Sequence, residues 1–298
     1  MFGKGENIKA NKEIKSAQLE LLLSGKTFTD ENFPVSSFIV DNKLKEVIRI
    51  FYFFARTADD IADHSEISSS KKTSILLFLD KTLKLEKKTD IKKLNNLIKL
   101  FPKLKSAKKY SRQILKAFVM DAERKKYKNW EDLIYYCKYS ANPVGRFVID
   151  AFYYYESKPN IHLEKIYKAS DELCSALQII NHIQDFKEDY KNLRRIYIPD
   201  SFFRKFSIKK DSLSDERSSY NFNKLKLEMI DKVSKSLENT KKGLMHIDIW
   251  SLRKETFIIL NIAKRLCNLL KKSDPLEKKI KLSRIDLIFC FIKGIMLD

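Results

Sequence analysis

The chain has 298 residues, and its 59 Lys and Arg against 39 Asp and Glu give a formal charge of +20. It contains only six Gly and six Pro, and apolar residues recur with helical rather than alternating spacing, so we predict an all-α protein with short connections, forming one domain over residues 1–298. No stretch approaches the roughly 20 apolar residues of a membrane-spanning helix. Because no apolar signal region begins the chain and the four cysteines are scattered, we expect a cytoplasmic protein with free thiols.

The positive charge is spread along the chain rather than clustered. It is compatible with nucleic acid, an anionic membrane surface or an anionic substrate. We expect no nucleic-acid partner, because there is no helix-turn-helix or basic-aromatic array. The apolar segment at 285–298 is typical of a core helix, and peripheral anchoring at the inner face of the membrane is the alternative. Paired lysines such as Lys71 and Lys72 are predicted to lie on solvated faces.

Helical periodicity extends over most of the chain. The predicted helices of the first half lie at 10–23, 50–66, 71–86, 90–100, 110–127 and 130–139, with a structured connection at 25–40. Pro143 and Gly145 interrupt the next apolar run, which predicts a helix break bordering a cavity. A long helix is predicted from Leu163 to about Tyr190, and about three more helices are predicted within residues 203–298.

The first unusual segment is Ile50–Glu66, IFYFFARTADDIADHSE. On a helix its residues separate into an apolar stripe and a polar stripe. The polar stripe contains Tyr52, Arg56, Asp59, Asp60 and Asp63. Asp59 and Asp63 lie one turn apart, where their like charges repel, so we predict a bound cation. Taken alone, such a cluster is more often a solvated helix end, and Arg56 is also spaced to neutralise Asp59 or Asp60.

A second acidic segment, QIINHIQDFKED, lies at 178–189. Its polar residues Gln178, Asn181, Asp185 and Asp189 share one helical face, with isoleucines on another. Two such helices facing each other across a bundle would hold hard divalent cations, so the hypothesis is a magnesium-lined cavity. Basic side chains follow directly and are placed to hold an anion that the metal also binds. These are Lys191, Arg194 and Arg195.

The two acidic motifs, FARTADDIAD and NHIQDFKEDYKNLRRIYIP, are 126 positions apart between Asp59 and Asp185. Together they resemble the squalene and phytoene synthase family, the head-to-head prenyl synthases, over roughly residues 25–268. DENFPV at 30–35 and YCKYSANPVGR at 136–146 resemble the branch in bacterial hopanoid pathways that converts presqualene diphosphate to hydroxysqualene. The resemblance implies a class I isoprenoid synthase bundle with a central cavity, in which Mg²⁺ binds the diphosphate and assists its departure.

The resemblance also implies roles for individual residues. Those implied to face the metal are Asp59, Asp63, Asp185 and Asp189, with Asp60 and Glu188 as supporting acids. The first four, with Tyr197, are the implied catalytic residues. Those implied to hold the diphosphate are Arg56, Lys191, Arg194, Arg195 and Tyr197, while Gln178 and Asn181 would orient a ligand or water. The candidates for an apolar, substrate-contacting lining are Phe53, Phe54, Tyr136 and Phe147.

The resemblance leaves alternatives for the product. In the hopanoid branch, water captures the carbocation, whereas other members make squalene, presqualene diphosphate or phytoene from farnesyl or geranylgeranyl diphosphate in the same kind of cavity. Residues 141–145 read Ala-Asn-Pro-Val-Gly where many members have Ala-Gly-Thr-Val-Gly, which puts the wider family's product in question. Association with neighbouring pathway enzymes stays open. A degenerate homologue acting as an assembly factor is the non-enzyme alternative, and the intact carboxylates argue against it.

Overall fold

The computed structural model describes residues 41–159 and 161–296, which are helical and contain no strand within those ranges. The α-helices are α1 (Asn42–Asp63), α2 (Ser69–Leu85), α3 (Lys92–Ile98), α4 (Lys105–Ala122), α5 (Trp130–Ser140), α6 (Asn142–Tyr155), α7 (Leu163–Gln184), α8 (Phe186–Glu188), α9 (Asp200–Lys205), α10 (Tyr220–Leu244), α11 (Trp250–Lys272) and α12 (Arg284–Met296). The all-α prediction is confirmed. The predicted helix at 10–23 and the connection at 25–40, with its DENFPV motif, lie outside the described residues. One domain over residues 1–298 stays a prediction.

Helix α7 occupies the middle of the bundle, where it packs against α5, α6, α10 and α11, while α1 packs against α2, α3, α4 and α6. The predicted apolar stripe of α1 is buried as expected. Phe51 stacks on Phe147 of α6 with ring centroids 4.0 Å apart, and Phe54 is 2% exposed. Because large aromatic side chains contribute much of the burial in a core, this contact fixes which side of α1 carries its carboxylates.

The predicted break in the apolar run lies between α5 and α6. Ala141 has φ −120° and ψ −46°, and Pro143 occupies the first turn of α6, where its missing N–H costs no hydrogen bond. Gly145 permits a close approach to α7, because a Cβ atom there would lie 2.4 Å from Ser170 Oγ and 2.6 Å from Cys174 Sγ. The break is therefore confirmed, and it joins two helices that both contact α7.

Two cavities, of about 400 and 620 Å³, lie on either side of an ion pair between Arg146 and Asp171. The smaller one borders the break at Asn142 and Pro143. None of the residues lining these two cavities is among the predicted site residues. A central cavity between the carboxylates therefore stays a prediction.

The prediction of a continuous helix from Leu163 to about Tyr190 is wrong. Helix α7 ends at Gln184, Asp185 has φ −107° and ψ 14°, and α8 adds one short turn. A π-helical turn at Asp189–Leu193 follows and closes at Arg194, whose φ of 57° is left-handed. The break allows the acidic residues to be held by tertiary contacts instead of by one straight helical face.

Candidate active site

The first carboxylate cluster lies in the last two turns of α1. Arg56 contacts Asp59 and Asp60 at 3.0 Å each, and Arg195 contacts Asp63 at 2.6 Å. The side chains of Asp59 and Asp63 are each 32% exposed, whereas that of Asp60 is 6% exposed. Asp59 and Asp63 therefore face the open side of the helix, and Asp60 points into the protein against Arg56.

Two buried cations, Arg195 and Lys72, cap the C-terminal end of α1. Arg195 donates from Nη1 to Asp63 Oδ1, from Nη2 to Ala62 O at 2.8 Å and from Nε to Asp121 O at 3.0 Å. Lys72 Nζ also donates to Ala62 O at 2.8 Å, so the prediction of a solvated Lys72 is wrong. The last carbonyl groups of a helix lack intrahelical donors and carry partial negative charge, which accounts for both contacts.

Asp121 is a site residue that was not predicted from the sequence. The hydroxyl groups of Tyr136 and Tyr197 donate to its two carboxylate oxygens at 2.8 and 2.7 Å, and burial raises the pKa of Asp121. One sequence signal was available, because Asp121 shares the apolar face of α4 with Ile114 and Phe118. A carboxylate in an apolar stripe needs partners from elsewhere in the fold.

His182 connects three of the predicted site residues. Its ring stacks on that of Tyr197 with centroids 3.5 Å apart, its Nε2 lies 3.2 Å from Gln178 Nε2, and its Nδ1 lies 3.6 Å from Asp189 Oδ2. Burial lowers the pKa of His182 to about 4. The ring is therefore neutral at neutral pH and links the polar face of α7 to the chain beyond the π-helical turn.

The second carboxylate cluster surrounds the break after α7. Lys279 Nζ contacts Asp185 Oδ1 at 2.7 Å and Glu188 Oε2 at 2.8 Å. Burial raises the pKa of Asp185, while the hydrogen bond from Lys279 lowers that of Glu188. Burial also raises the pKa of Asp189 to about 7, and the charge of Asp63 contributes to that rise. The backbone N–H of Arg195 donates to Asp189 O at 3.0 Å while its guanidinium group binds Asp63, so Arg195 joins the two clusters directly.

Three other predicted polar residues lie at different depths. Lys191 and Arg194 are exposed on and just after the π-helical turn. Asn181 Oδ1 is buried and has no hydrogen-bond partner within the part of the chain that the structure describes. A buried amide oxygen of this kind is available to a cation or to a water molecule.

The four candidates for an apolar lining are not equivalent. Phe53 is 40% exposed, and its ring lies 5.7 Å from Lys93 Nζ at the surface. Phe54, Tyr136 and Phe147 are each 2% exposed or less. The structure therefore places Phe53 apart from the other three, which belong to the packed core around the site.

The oxygen atoms of the two carboxylate clusters and of Asn181 are of the chemical type that binds a hard divalent cation. Within the described ranges, no group of three or more acidic, His or Cys side chains is already arranged to hold a metal ion. However, carboxylate and amide oxygens are the ligands that Mg²⁺ prefers, and Asn181 Oδ1 lacks a partner in this part of the chain. Burial and the charge of Asp63 raise the pKa of Asp59 well above its usual range. A divalent cation would relieve that repulsion, so the Mg²⁺ prediction is retained.

Comparison with known proteins places the chain in a family. The model of the squalene/phytoene synthase family matches residues 28–286. Hydroxysqualene synthase from Rhodopseudomonas palustris is 33% identical over 269 residues, 90% of this chain and 88% of the relative. Hydroxysqualene synthase from Sinorhizobium fredii is 32% identical over 261 residues, 87% of this chain and 86% of the relative.

Solved structures agree with this relationship at the level of the fold. A squalene synthase from Alicyclobacillus acidocaldarius has a TM-score of 0.69 at 21% identity, covering 86% of this chain and 93% of that chain. A dehydrosqualene synthase in complex with a ligand has a TM-score of 0.73 at 18% identity, covering 94% of both chains. The predicted class I isoprenoid synthase fold is confirmed. The chain belongs to the squalene/phytoene synthase family and is an enzyme of the isoprenoid synthase class.

Proposed function

We propose that this enzyme converts presqualene diphosphate and water to hydroxysqualene and diphosphate with the help of Mg²⁺. Members of its family act on prenyl diphosphates, and relatives from three bacteria that are 32–33% identical to it carry the name hydroxysqualene synthase. The geometric observation that supports the proposal is that Arg195 joins the two carboxylate clusters, since its backbone N–H donates to Asp189 O at 3.0 Å and its guanidinium group binds Asp63. Two carboxylate clusters joined in this way on a helical bundle are suited to a metal-bound diphosphate.

The carboxylates take the metal-binding role in this proposal. The residues that would hold Mg²⁺ are Asp59, Asp63, Asp185 and Asp189, with Asn181 as a further oxygen donor. When bound, Mg²⁺ supplies charge neutralisation for the departing diphosphate. Asp60 supports the site from the buried side through Arg56, and Glu188 supports it from the exposed side through Lys279.

The basic residues divide into two groups. Lys191 and Arg194 are exposed beside the second cluster, so we assign them, with Arg56, to the diphosphate. Arg195 is already bound to Asp63 and to two backbone carbonyls, so it acts as a positioning residue for the first cluster. Tyr197 positions the site in a similar way, through Asp121 and the ring of His182.

The reaction exchanges the C–O bond to diphosphate for a C–O bond to water. C–C bonds of the substrate's cyclopropane ring shift and open as the carbocation rearranges, and the electron pair of the opened bond forms a C=C double bond. The C–O bond to diphosphate breaks with its electron pair on the leaving group, and the rearranged carbocation forms a new C–O bond with water, which loses a proton. Gln178 and Asn181 lie on the polar face of α7 and are assigned to hold that water. The buried Phe54, Tyr136 and Phe147 limit the access of other water molecules while the cation rearranges.

Product analysis tests the proposal. The purified protein is incubated with presqualene diphosphate and Mg²⁺ without a nicotinamide, and the products are identified by mass spectrometry. Hydroxysqualene is expected. Squalene formed only after NADPH is added would mean that hydride, not water, captures the carbocation. If the substrate stays unchanged, farnesyl and geranylgeranyl diphosphates are tested next. The proposal places the enzyme in the cytoplasm, with peripheral membrane contact and neighbouring pathway enzymes as partners.

A further inference from the structure

Helix α12 carries an apolar surface that residues 41–159 and 161–296 leave uncovered. Seven of its 13 residues are apolar and between 39% and 78% exposed. They are Ile285, Leu287, Ile288, Phe289, Phe291, Ile292 and Met296. A contiguous apolar surface of this kind marks an interaction site, whereas single exposed apolar residues are ordinary. None of the described helices, α12 included, is long and apolar enough to cross a membrane.

The inner side of α12 is fixed firmly on α11. Gly294 packs so closely that a Cβ atom there would lie 2.4 Å from Ile258 Cγ1. Cys290 is 1% exposed in the same interface, and Lys254 Nζ donates to Ile295 O at 2.6 Å near the C-terminal end of α12. The exposed side chains are therefore held in place on a supported helix, so their exposure does not result from a loosely attached segment.

Trp250 extends the same surface. Its side chain is 51% exposed at the start of α11. Lys254 Nζ lies 5.9 Å from the ring of Trp250 and also donates to Ile295 O, so Trp250 lies beside the C-terminal end of α12. Tryptophan is enriched at the boundary between lipid and water, where an apolar ring with one polar N–H is favoured.

Positive charge borders this apolar face. Burial lowers the pKa of Lys264, and the nearby charges of Lys293 and Lys241 lower it further, while Glu238 opposes them. Arg284 and Lys293 are exposed on α12 itself, and Lys281 is exposed three residues before it, so cations lie along the helix. An anionic partner would relieve the repulsion among these cations.

We propose that α12 lies in the surface of an anionic lipid membrane, with its apolar face among the acyl chains and Lys293 and Arg284 at the headgroups. An apolar helix face bordered by lysine and carrying tryptophan at its edge is suited to this position. A symmetric dimer through the same face fits less well, because it would oppose identical lysines on two chains that each carry a charge of +20. The inference rests on this surface alone and does not depend on the proposed reaction.

Vesicle flotation of the full chain tests this inference. The wild type is expected to float with vesicles of equal parts phosphatidylglycerol and phosphatidylcholine, and at least about tenfold less with phosphatidylcholine alone. Phe289→Glu is expected to lower binding at least about tenfold, because it places a charge in the apolar face. Lys293→Gln is expected to lower binding about fivefold by removing one headgroup contact. Leu77→Glu, at a residue that is 56% exposed on α2, is the matched control and should bind like the wild type.

Two results would overturn the inference. One is the absence of wild-type binding to the anionic vesicles, and the other is equal binding by the wild type and Phe289→Glu. Light scattering without vesicles adds a further distinction. A wild-type dimer that Phe289→Glu converts to a monomer, together with no vesicle binding, would assign the face to a second copy. Thermal melting of each variant checks that the fold is retained.

Discussion

The two carboxylate clusters are held by different kinds of backbone. The first lies on a regular helix whose end is closed by Arg195 and Lys72, both bonded to the carbonyl group of Ala62. The second spans a helix break and a π-helical turn at residues 185–193, and two of its acids contact the exposed Lys279. We therefore expect the first cluster to be held in place before any ligand binds, and the second cluster to rearrange when a ligand binds.

Because of this difference, we expect the two clusters to have different roles in binding. Buried, multiply bonded cations such as Arg195 hold Asp63 in one position, which suits a fixed half of a metal site. Helix interruptions of the π type occur frequently at functional sites. We therefore expect rearrangement on binding Mg²⁺ and diphosphate to be concentrated at 185–193 and at Lys279.

The largest expected effect is the loss of turnover when either cluster loses a central acid. Asp59→Asn and Asp185→Asn should each lower the rate at least about a hundredfold, because each removes a carboxylate that would hold the Mg²⁺ that neutralises the departing diphosphate. Circular dichroism should stay unchanged, since losing a charge from a repelling cluster relieves repulsion. Glu66→Gln, at an exposed acid after α1, is the control. Near wild-type turnover in either variant would exclude the metal-binding role for that residue.

The second prediction concerns stability at the fixed cluster. Arg195→Gln should lower the free energy of unfolding by about 3–5 kcal/mol, because it removes a buried cation that is bonded to Asp63 and to the backbone carbonyl groups of Ala62 and Asp121. The neighbouring Arg194→Gln, at an exposed position, should change it by less than about 0.5 kcal/mol. Urea denaturation measures both. Equal values for the two variants would show that Arg195 does not fix the first cluster.

The third prediction concerns the adjustable cluster. Lys279→Gln should strengthen Mg²⁺ binding about fivefold in the absence of substrate, because the ammonium group no longer competes at Asp185 and Glu188. Titration calorimetry measures the affinity, and Lys278→Gln, at the exposed neighbour, is the control. Weaker Mg²⁺ binding would instead mean that Lys279 orients the two carboxylates for the metal.

The smallest expected effect is a change in how stability depends on pH. Folding raises the pKa of Asp189 from 3.8 to about 7, so between these values the folded state binds more protons and stability falls as pH rises. Folding lowers the pKa of His182 from 6.5 to about 4, so over that range the unfolded state binds more protons and stability rises with pH. In the wild type these two contributions to the slope oppose each other.

Two variants separate these slopes. Relative to the wild type, Asp189→Asn should make the slope of stability against pH more positive between about pH 4 and 7, and His182→Gln should make it more negative between about pH 4 and 6.5. The free energy of unfolding, measured by urea denaturation at a series of pH values, checks the signs. Changes of slope that have the same sign in the two variants, relative to the wild type, would contradict the opposite pKa shifts of Asp189 and His182.

Local patterns were enough to predict the first half of the site. The apolar stripe of α1 and the break near Pro143 follow from helical spacing and from proline's missing N–H, and both are present. The helix predicted to reach Tyr190 fails because tertiary contacts hold Asp185 at a break. Such contacts leave no periodic signal in the sequence.

The site residues that were not predicted from the sequence are also held by contacts between distant parts of the chain. Lys279 lies in a lysine-rich connection whose composition does not distinguish it from its neighbours. Lys72 resembles a surface lysine until the fold brings the end of α1 against it. Asp121 alone carried a sequence signal, because it shares an apolar stripe with Ile114 and Phe118. Long-range polar contacts are therefore the part of this site that could not be predicted from the sequence.

The most direct test of the proposed function is a reaction in ¹⁸O-labelled water. The purified enzyme is given presqualene diphosphate and Mg²⁺, with no nicotinamide, and the product is analysed by mass spectrometry. Capture of the carbocation by water predicts hydroxysqualene that carries the ¹⁸O label and no product when Mg²⁺ is chelated. A hydrocarbon product, or hydroxysqualene without the label, would contradict water capture at this site.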